Sequence, residues 1–190
     1  MKLNKFMLMM VLVILPIAVT AKDSDKKPLE AIAQLDVTRY LGHWYEIAKF
    51  PNRFQKKCVS DTSAEYSPLP DGNIRVLNQC LNSTGMMESA IGEAQQTGGP
   101  QSAKLKVRFA PAWLSFLPFV WGDYWVIDLD DKYSLVAVSE PNREFLWVLS
   151  RTPVVDEAQY ADLMNRLVGM NFDIAKLEKT PQTNDSKSTK

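Results

Sequence analysis

Hydrophobic and polar positions alternate with a period of two through most of the middle of the chain. From Gly42 to Phe50, Trp44, Glu46, Ala48 and Phe50 fall on one side, and Tyr45, Ile47 and Lys49 on the other. Ala103 to Phe109 is the cleanest case: Ala103, Leu105, Val107 and Phe109 share a face, while Lys104, Lys106 and Arg108 point to water. Further strands are predicted over 59–67, 74–79, 86–95, 124–129, 133–139 and 144–151. Turn residues separate them, among them Pro70-Asp71-Gly72-Asn73, Asp130-Asp131-Lys132 and Pro141-Asn142. Eight short strands at this spacing predict an all-β barrel or sandwich. The period changes once. Asp156 to Val168 lays Tyr160, Ala161, Met164, Leu167 and Val168 along a helical stripe, with Gly169 in the position after the helix end. Phe172 to Leu177 is a candidate for a short ninth strand.

The two ends of the chain do not share this pattern. Lys2 and Lys5 precede an apolar run of fourteen residues, Phe6 to Val19, which ends in the small residues of Val19-Thr20-Ala21. A basic start, a short apolar run and a small-x-small end are the marks of a secretory signal peptide, with cleavage expected after Ala21. The run is shorter than the roughly 20 residues of a membrane-spanning helix. No cysteine lies near the cleavage point, so an acylated-cysteine anchor is not expected and the product is read as a free periplasmic protein. The domain expectation is a signal peptide over 1–21, a flexible segment over 22–34, one folded domain over 35–178 and a disordered polar tail over 179–190.

Composition then narrows the chemistry. The 22 basic and 22 acidic side chains balance, and removing the leader leaves 20 against 22, so nothing favours a nucleic-acid partner. His43 is the only histidine and Cys58 and Cys80 the only cysteines, too few for a zinc site of ordinary composition. No metal and no cofactor is expected. In an oxidising compartment Cys58 and Cys80 have only each other to pair with, and they bracket a predicted hairpin; a disulfide is the favoured reading and a reactive thiol in a pocket the alternative.

Three motifs carry a resemblance. Gly42-His43-Trp44-Tyr45-Glu46-Ile47-Ala48 resembles the G-x-W signature of the lipocalins. Tyr124-Trp125-Val126-Ile127-Asp128-Leu129 with Asp130-Asp131-Lys132-Tyr133 is similar to their second motif. Phe145 to Pro153, with Arg151 near its end, is similar to the third. The match runs in order from about Leu35 to Leu177 and is nearest to the bacterial lipocalins and their apolipoprotein D-like relatives, whose chains read much like Asp71 to Asn78 here. The resemblance implies an eight-stranded antiparallel up-and-down barrel with one C-terminal α-helix packed outside, holding a hydrophobic molecule such as a fatty acid or lysophospholipid. A role in envelope maintenance is implied with it.

In such a barrel Trp44 and Arg151 meet at the closed end, where a guanidinium stacks on an indole as a structural plug. Parity then places Ala48, Phe50, Ala64, Tyr66, Asn78, Leu105, Val107, Phe109, Phe145 and Trp147 on the inner wall, with Trp125 and Ile127 preferred over their neighbours. Glu46 and Asn78 fall inside as well, either satisfied within the barrel or holding a ligand's polar end. Glu46 or Tyr66 would be the acid–base group of an enzyme built in the barrel, but no nucleophile–histidine–carboxylate arrangement supports one, and the chain is read as a binding protein. Between two strands, Trp113 to Trp121 contains one hydrophilic residue, Ser115. With Trp113, Phe116 and Trp121 it is assigned to the barrel mouth, beside Arg53, Lys56 and Lys57 of the first inter-strand loop. A transient membrane contact, an inward lid and a dimer contact are the three readings of that loop. Monomer and homodimer stay open.

Overall fold

The computed structural model describes residues 27–183, and among these the strands form one antiparallel sheet that closes on itself. The strands β1 (Gly42–Lys49), β2 (Cys58–Pro68), β3 (Ile74–Asn82), β4 (Met87–Gln96), β5 (Lys104–Arg108), β6 (Gly122–Leu129), β7 (Leu135–Ser139) and β8 (Leu146–Ser150) follow one another round an up-and-down barrel. β1 closes it by pairing with both β8 and β2. A two-residue strand, β9 (Glu178–Lys179), pairs with the far end of β1, where β2 has left it. One turn of helix, α1 (Val37–Tyr40), covers the closed end, and the helix α2 (Glu157–Gly169) packs against the outside of the barrel.

Two apolar cores explain the arrangement. Inside the barrel lie Leu35, Tyr40, Trp44, Tyr66, Val76, Leu105, Val126, Val138 and Leu149. Between barrel and helix lie Ala48, Phe50, Ile127, Ala137, Val148, Leu163, Leu167 and Phe172. β7 is buried at every residue because one of its faces meets each core, which is why Leu-Val-Ala-Val reads as a continuous apolar run. Asp156 caps α2 by accepting from the Gln159 amide at 3.0 Å. Arg166 then ties the helix down through two bonds to the Asp128 carboxylate, at 2.7 and 2.9 Å.

Several elements differ from the sequence expectation. The buried stripe of α2 is Tyr160, Leu163, Met164 and Leu167, whereas Ala161 and Val168 face solvent. Gly169 is the last helical residue, and the left-handed position falls at Asn171, with φ +65°. Phe172 to Leu177 is not a strand. Phe172 enters the helix-side core, Ile174–Lys176 forms a 3₁₀ turn, and the ninth strand starts after it. The segment before the barrel is anchored where described: Leu29 is buried and the Ile32 amide donates to the Val126 carbonyl at 2.9 Å. The polar tail is likewise held as far as Thr183. The Thr180 amide donates to Ile47 O, and Pro181 O accepts from the Asp61 amide. The expected signal peptide and the tail beyond Thr183 lie outside the described residues. Arg108, expected in water, is 4% exposed and paired with Glu93 at 2.6 Å beneath the Trp121 ring.

Candidate functional site

The closed end is built on backbone carbonyls. Arg151 stacks on Trp44 with its guanidinium carbon 3.9 Å from the ring centroid. Its nitrogens donate to the carbonyls of Arg39, Tyr40, Leu41, His43 and Tyr133 at 2.8–3.3 Å. Gly42 makes this approach practicable: its φ is +92°, and a Cβ there would stand 3.4 Å from the Arg151 Nη1. Trp44 donates from its indole to the Tyr40 carbonyl at 2.8 Å, which fixes the plug from below. Trp44 and Arg151 are thus bound to each other and to the protein's own backbone.

The inner wall is read from the registers. Ile74 and Ala94 form a rung with Val107, Tyr66 and Val76 a rung with Gly92, and Ala64 and Asn78 a rung with Ala90. From rung to rung toward the mouth the inner face opens: Ile74 and Ala94 are buried, Gly92 is half-buried and Ala90 is exposed. Ala64, Tyr66, Leu105, Val107 and Trp147 belong to the inner cluster. Asn78 stands on the same face by register. Phe109 lies at the mouth over Gly92, where a Cβ would come within 2.7 Å of its ring. Phe145 stacks on Trp147 with centroids 5.7 Å apart, and Phe54 from the first loop meets it at 5.4 Å.

Four expected wall residues are on the other side. Ala48 and Phe50 belong to the helix-side core because β1 carries a bulge: Glu46 pairs with Leu149 and Ala48 with Val148, so Ile47 is an extra residue. Trp125 and Ile127 also face the helix layer, and Tyr124 and Val126 point inward in their place. β6 has its own bulge between Val126 and Asp128, which brings Leu129 back to the inner face. A strict two-residue period cannot anticipate either shift.

Two polar groups inside the barrel were legible only in part, through Tyr66 and Glu46. The first is a row of phenols: Tyr124 Oη lies 2.6 Å from Tyr40 Oη and 2.9 Å from Tyr66 Oη. Burial pushes all three upward, Tyr66 to about 12, so they stay neutral at any physiological pH. The signal for Tyr124 was the competing parity of its strand. Tyr40 carried none, because it sits on a helical turn that the alternation does not describe. The second group surrounds Glu46, which is buried. Its carboxylate accepts from Gln55 Nε2 and Thr180 Oγ1, each at 2.6 Å, and Gln55 Oε1 in turn accepts from Asn52 Nδ2 at 2.7 Å and the Trp147 indole at 2.9 Å. Burial raises the Glu46 pKa, against the pull of those two donors.

The mouth carries the exposed apolar surface. Trp113, Phe116 and Phe119 are 73%, 76% and 80% exposed, so the loop does not fold into the barrel. Trp121 is held back by a bond from its indole to the Ser115 carbonyl at 2.8 Å and by Arg108 beneath it. Arg53, Lys56 and Lys57 are exposed in the loop between β1 and β2, at the same end. Cys58 and Cys80 are joined in a disulfide, with Cα atoms 5.5 Å apart. His43 lies on the outer face, 3.2 Å from Glu65.

Comparison with known proteins agrees with this architecture. The family described as a lipocalin-like domain matches residues 35–182. Temperature-induced lipocalin-1 of Arabidopsis thaliana is 43% identical over 163 residues, covering 84% of this chain and 86% of that protein. The outer membrane lipoprotein Blc of Escherichia coli K12 is 38% identical over 146 residues, covering 76% and 78%. Apolipoprotein D of Mus musculus is 36% identical over 156 residues, with 78% of each chain covered.

Proposed function

The chain belongs to the lipocalin family, and from that premise we propose that it is an exported carrier of hydrophobic molecules in the cell envelope, of the class of fatty acids or lysophospholipids. The observation that carries this reading is the inner wall, closed by Arg151 and Trp44 at one end and opening rung by rung toward an aromatic mouth at the other. A barrel of eight strands has room for one small ligand. Catalysis is not part of the reading. His43 stands outside, and both cysteines are in the disulfide. A free periplasmic protein is supported by the leader-like residues 1–21 and by the disulfide, which suits an oxidising compartment. The name of the Blc relative places that protein at the outer membrane.

Native mass spectrometry of the protein purified from the envelope tests the ligand class, with displacement of a fluorescent fatty acid as the second readout. Bound lipid and saturable displacement are expected; no lipid and no displacement would remove the carrier reading. Fractionation and N-terminal sequencing test export and cleavage after Ala21. At the mouth, the apolar tips of Trp113, Phe116 and Phe119 are proposed to touch a lipid surface while Arg53, Lys56 and Lys57 meet anionic head groups. Replacing the three aromatics with serine should reduce association with anionic vesicles at least tenfold, and unchanged association would sink the idea. Analytical ultracentrifugation decides between monomer and homodimer.

A further inference from the structure

The three phenols of the barrel interior contain one more proton than they use on each other. Tyr40, Tyr66 and Tyr124 bring three hydroxyl protons to two hydrogen bonds, both of which involve the Tyr124 oxygen. No other described residue accepts from these hydroxyls. The surroundings are apolar: Trp44, Leu105, Val126, Val138 and Leu149 belong to the same cluster. A donor left uncommitted in such a place is costly unless something accepts from it. Tyr124 Oη is the oxygen common to both bonds, and either partner could donate in each. As whole residues Tyr40 and Tyr66 are 2% and 7% exposed and Tyr124 somewhat more, while the phenol of each is buried. Where Tyr40 and Tyr66 both donate to Tyr124 Oη, the Tyr124 proton is the one left over.

We propose that Tyr124, backed by Tyr40 and Tyr66, is a hydrogen-bonding subsite deep in the barrel that takes a neutral oxygen of an apolar ligand, such as a ketone, aldehyde, ester or alcohol. This rests on the carrier reading and sets an uncharged oxygen, not a fatty-acid carboxylate, at the buried end. A carboxylate is disfavoured at that depth, because Arg151 has its donors on five backbone carbonyls and a buried anion would lack a counter-ion. Two donations into Tyr124 polarise its own O–H, which makes it a better donor than an isolated phenol. The ligand would therefore enter with an uncharged polar end first, and its tail would occupy the half of the wall formed by Ala90, Gly92 and Phe109.

A chain-matched pair of probes tests this, 2-tetradecanone and tetradecane, titrated into the mature protein and followed by tryptophan emission. Y124F should weaken the ketone about tenfold and leave tetradecane unchanged, and Y66F/Y124F should weaken the ketone at least as much. If both probes bind and neither variant alters the ketone, the subsite is wrong and the carrier reading stands. If Y124F weakens both probes equally, the phenol acts only through packing and the proposal fails. If neither probe binds the unmodified protein, the carrier reading and the subsite fall together. Infrared spectra of carbonyl-labelled 2-tetradecanone on the unmodified protein need no variant. A stretch shifted to lower wavenumber than in hydrocarbon is expected, and an unshifted band overturns the proposal.

Discussion

Arg151 packs against the start of the first strand and Glu46 is buried in its middle, and the two are held in different ways. Arg151 lies over an aromatic face and donates to five backbone carbonyls. Glu46 accepts from two neutral side chains, Gln55 of the loop after β1 and Thr180 of the chain's final stretch. The Arg151 nitrogens are spread over five carbonyls of three segments, the α1 turn with its cap, β1 and the loop between β6 and β7, whereas Glu46 depends on one loop residue and one residue of the terminal strap. The strap donates to two carboxylates of opposite preference. Burial raises the Glu46 pKa. Asp61 also feels burial, but donation from Thr183 and Ser60 outweighs it and holds that carboxyl below its ordinary value.

The largest effect should come from Arg151. R151M leaves carbonyls without donors and removes the stacked cation, and should cost about 3–4 kcal/mol in urea unfolding. R151K should recover less than half of it, since an ammonium cannot serve the same fork of carbonyls. A loss below about 1 kcal/mol would erase the contrast between the two groups. Next comes the disulfide at the open end, closing a loop whose ends are 22 residues apart. C58S/C80S should cost about 3 kcal/mol, chiefly through the freedom returned to the unfolded chain. T180V removes one neutral donor from Glu46 and should cost about 1 kcal/mol by the same measurement.

The smallest effect is the dependence on pH. Because Glu46 is raised in the folded state above its ordinary value of 4.5, the native protein holds that proton more firmly than the unfolded chain. Its contribution to stability is complete below pH 4.5 and is lost as pH rises through the folded pKa. E46Q should therefore raise the melting temperature at neutral pH and lose that advantage in acid. An E46Q melting curve parallel to the parent's at every pH would show that Glu46 does not titrate differently on folding.

How much of this was legible varies by strand. β5 followed the two-residue alternation without interruption, and Leu105, Val107 and Phe109 stand where the pattern put them. β1 and β6 each contain an extra residue, and that is where Ala48, Phe50, Trp125 and Ile127 were assigned to the wrong face. Both faces of these strands are apolar, since one meets the barrel interior and the other meets α2. Hydrophobicity therefore gave no penalty to the wrong parity. Arg108 was misplaced for another reason: a charged residue at an outward position is normally solvated, and only the loop that carries Trp121 covers it. The Glu46 group was half visible, as an inward carboxylate, but its partners Gln55 and Thr180 are 9 and 134 residues away.

The sequence by itself determined the class of the molecule. Short alternating strands, one amphipathic helix, two cysteines and three ordered motifs are local patterns, and each local pattern needs only its own residues to be read. The tertiary structure alone decided which face of β1 and β6 looks inward, which segments the ends of the chain would hold, and that three tyrosines from residues 40, 66 and 124 would meet at one point. Those are consequences of closure. A barrel brings strands from the whole chain onto a single axis, and the hydroxyl groups that converge there have no neighbourhood in sequence to announce them.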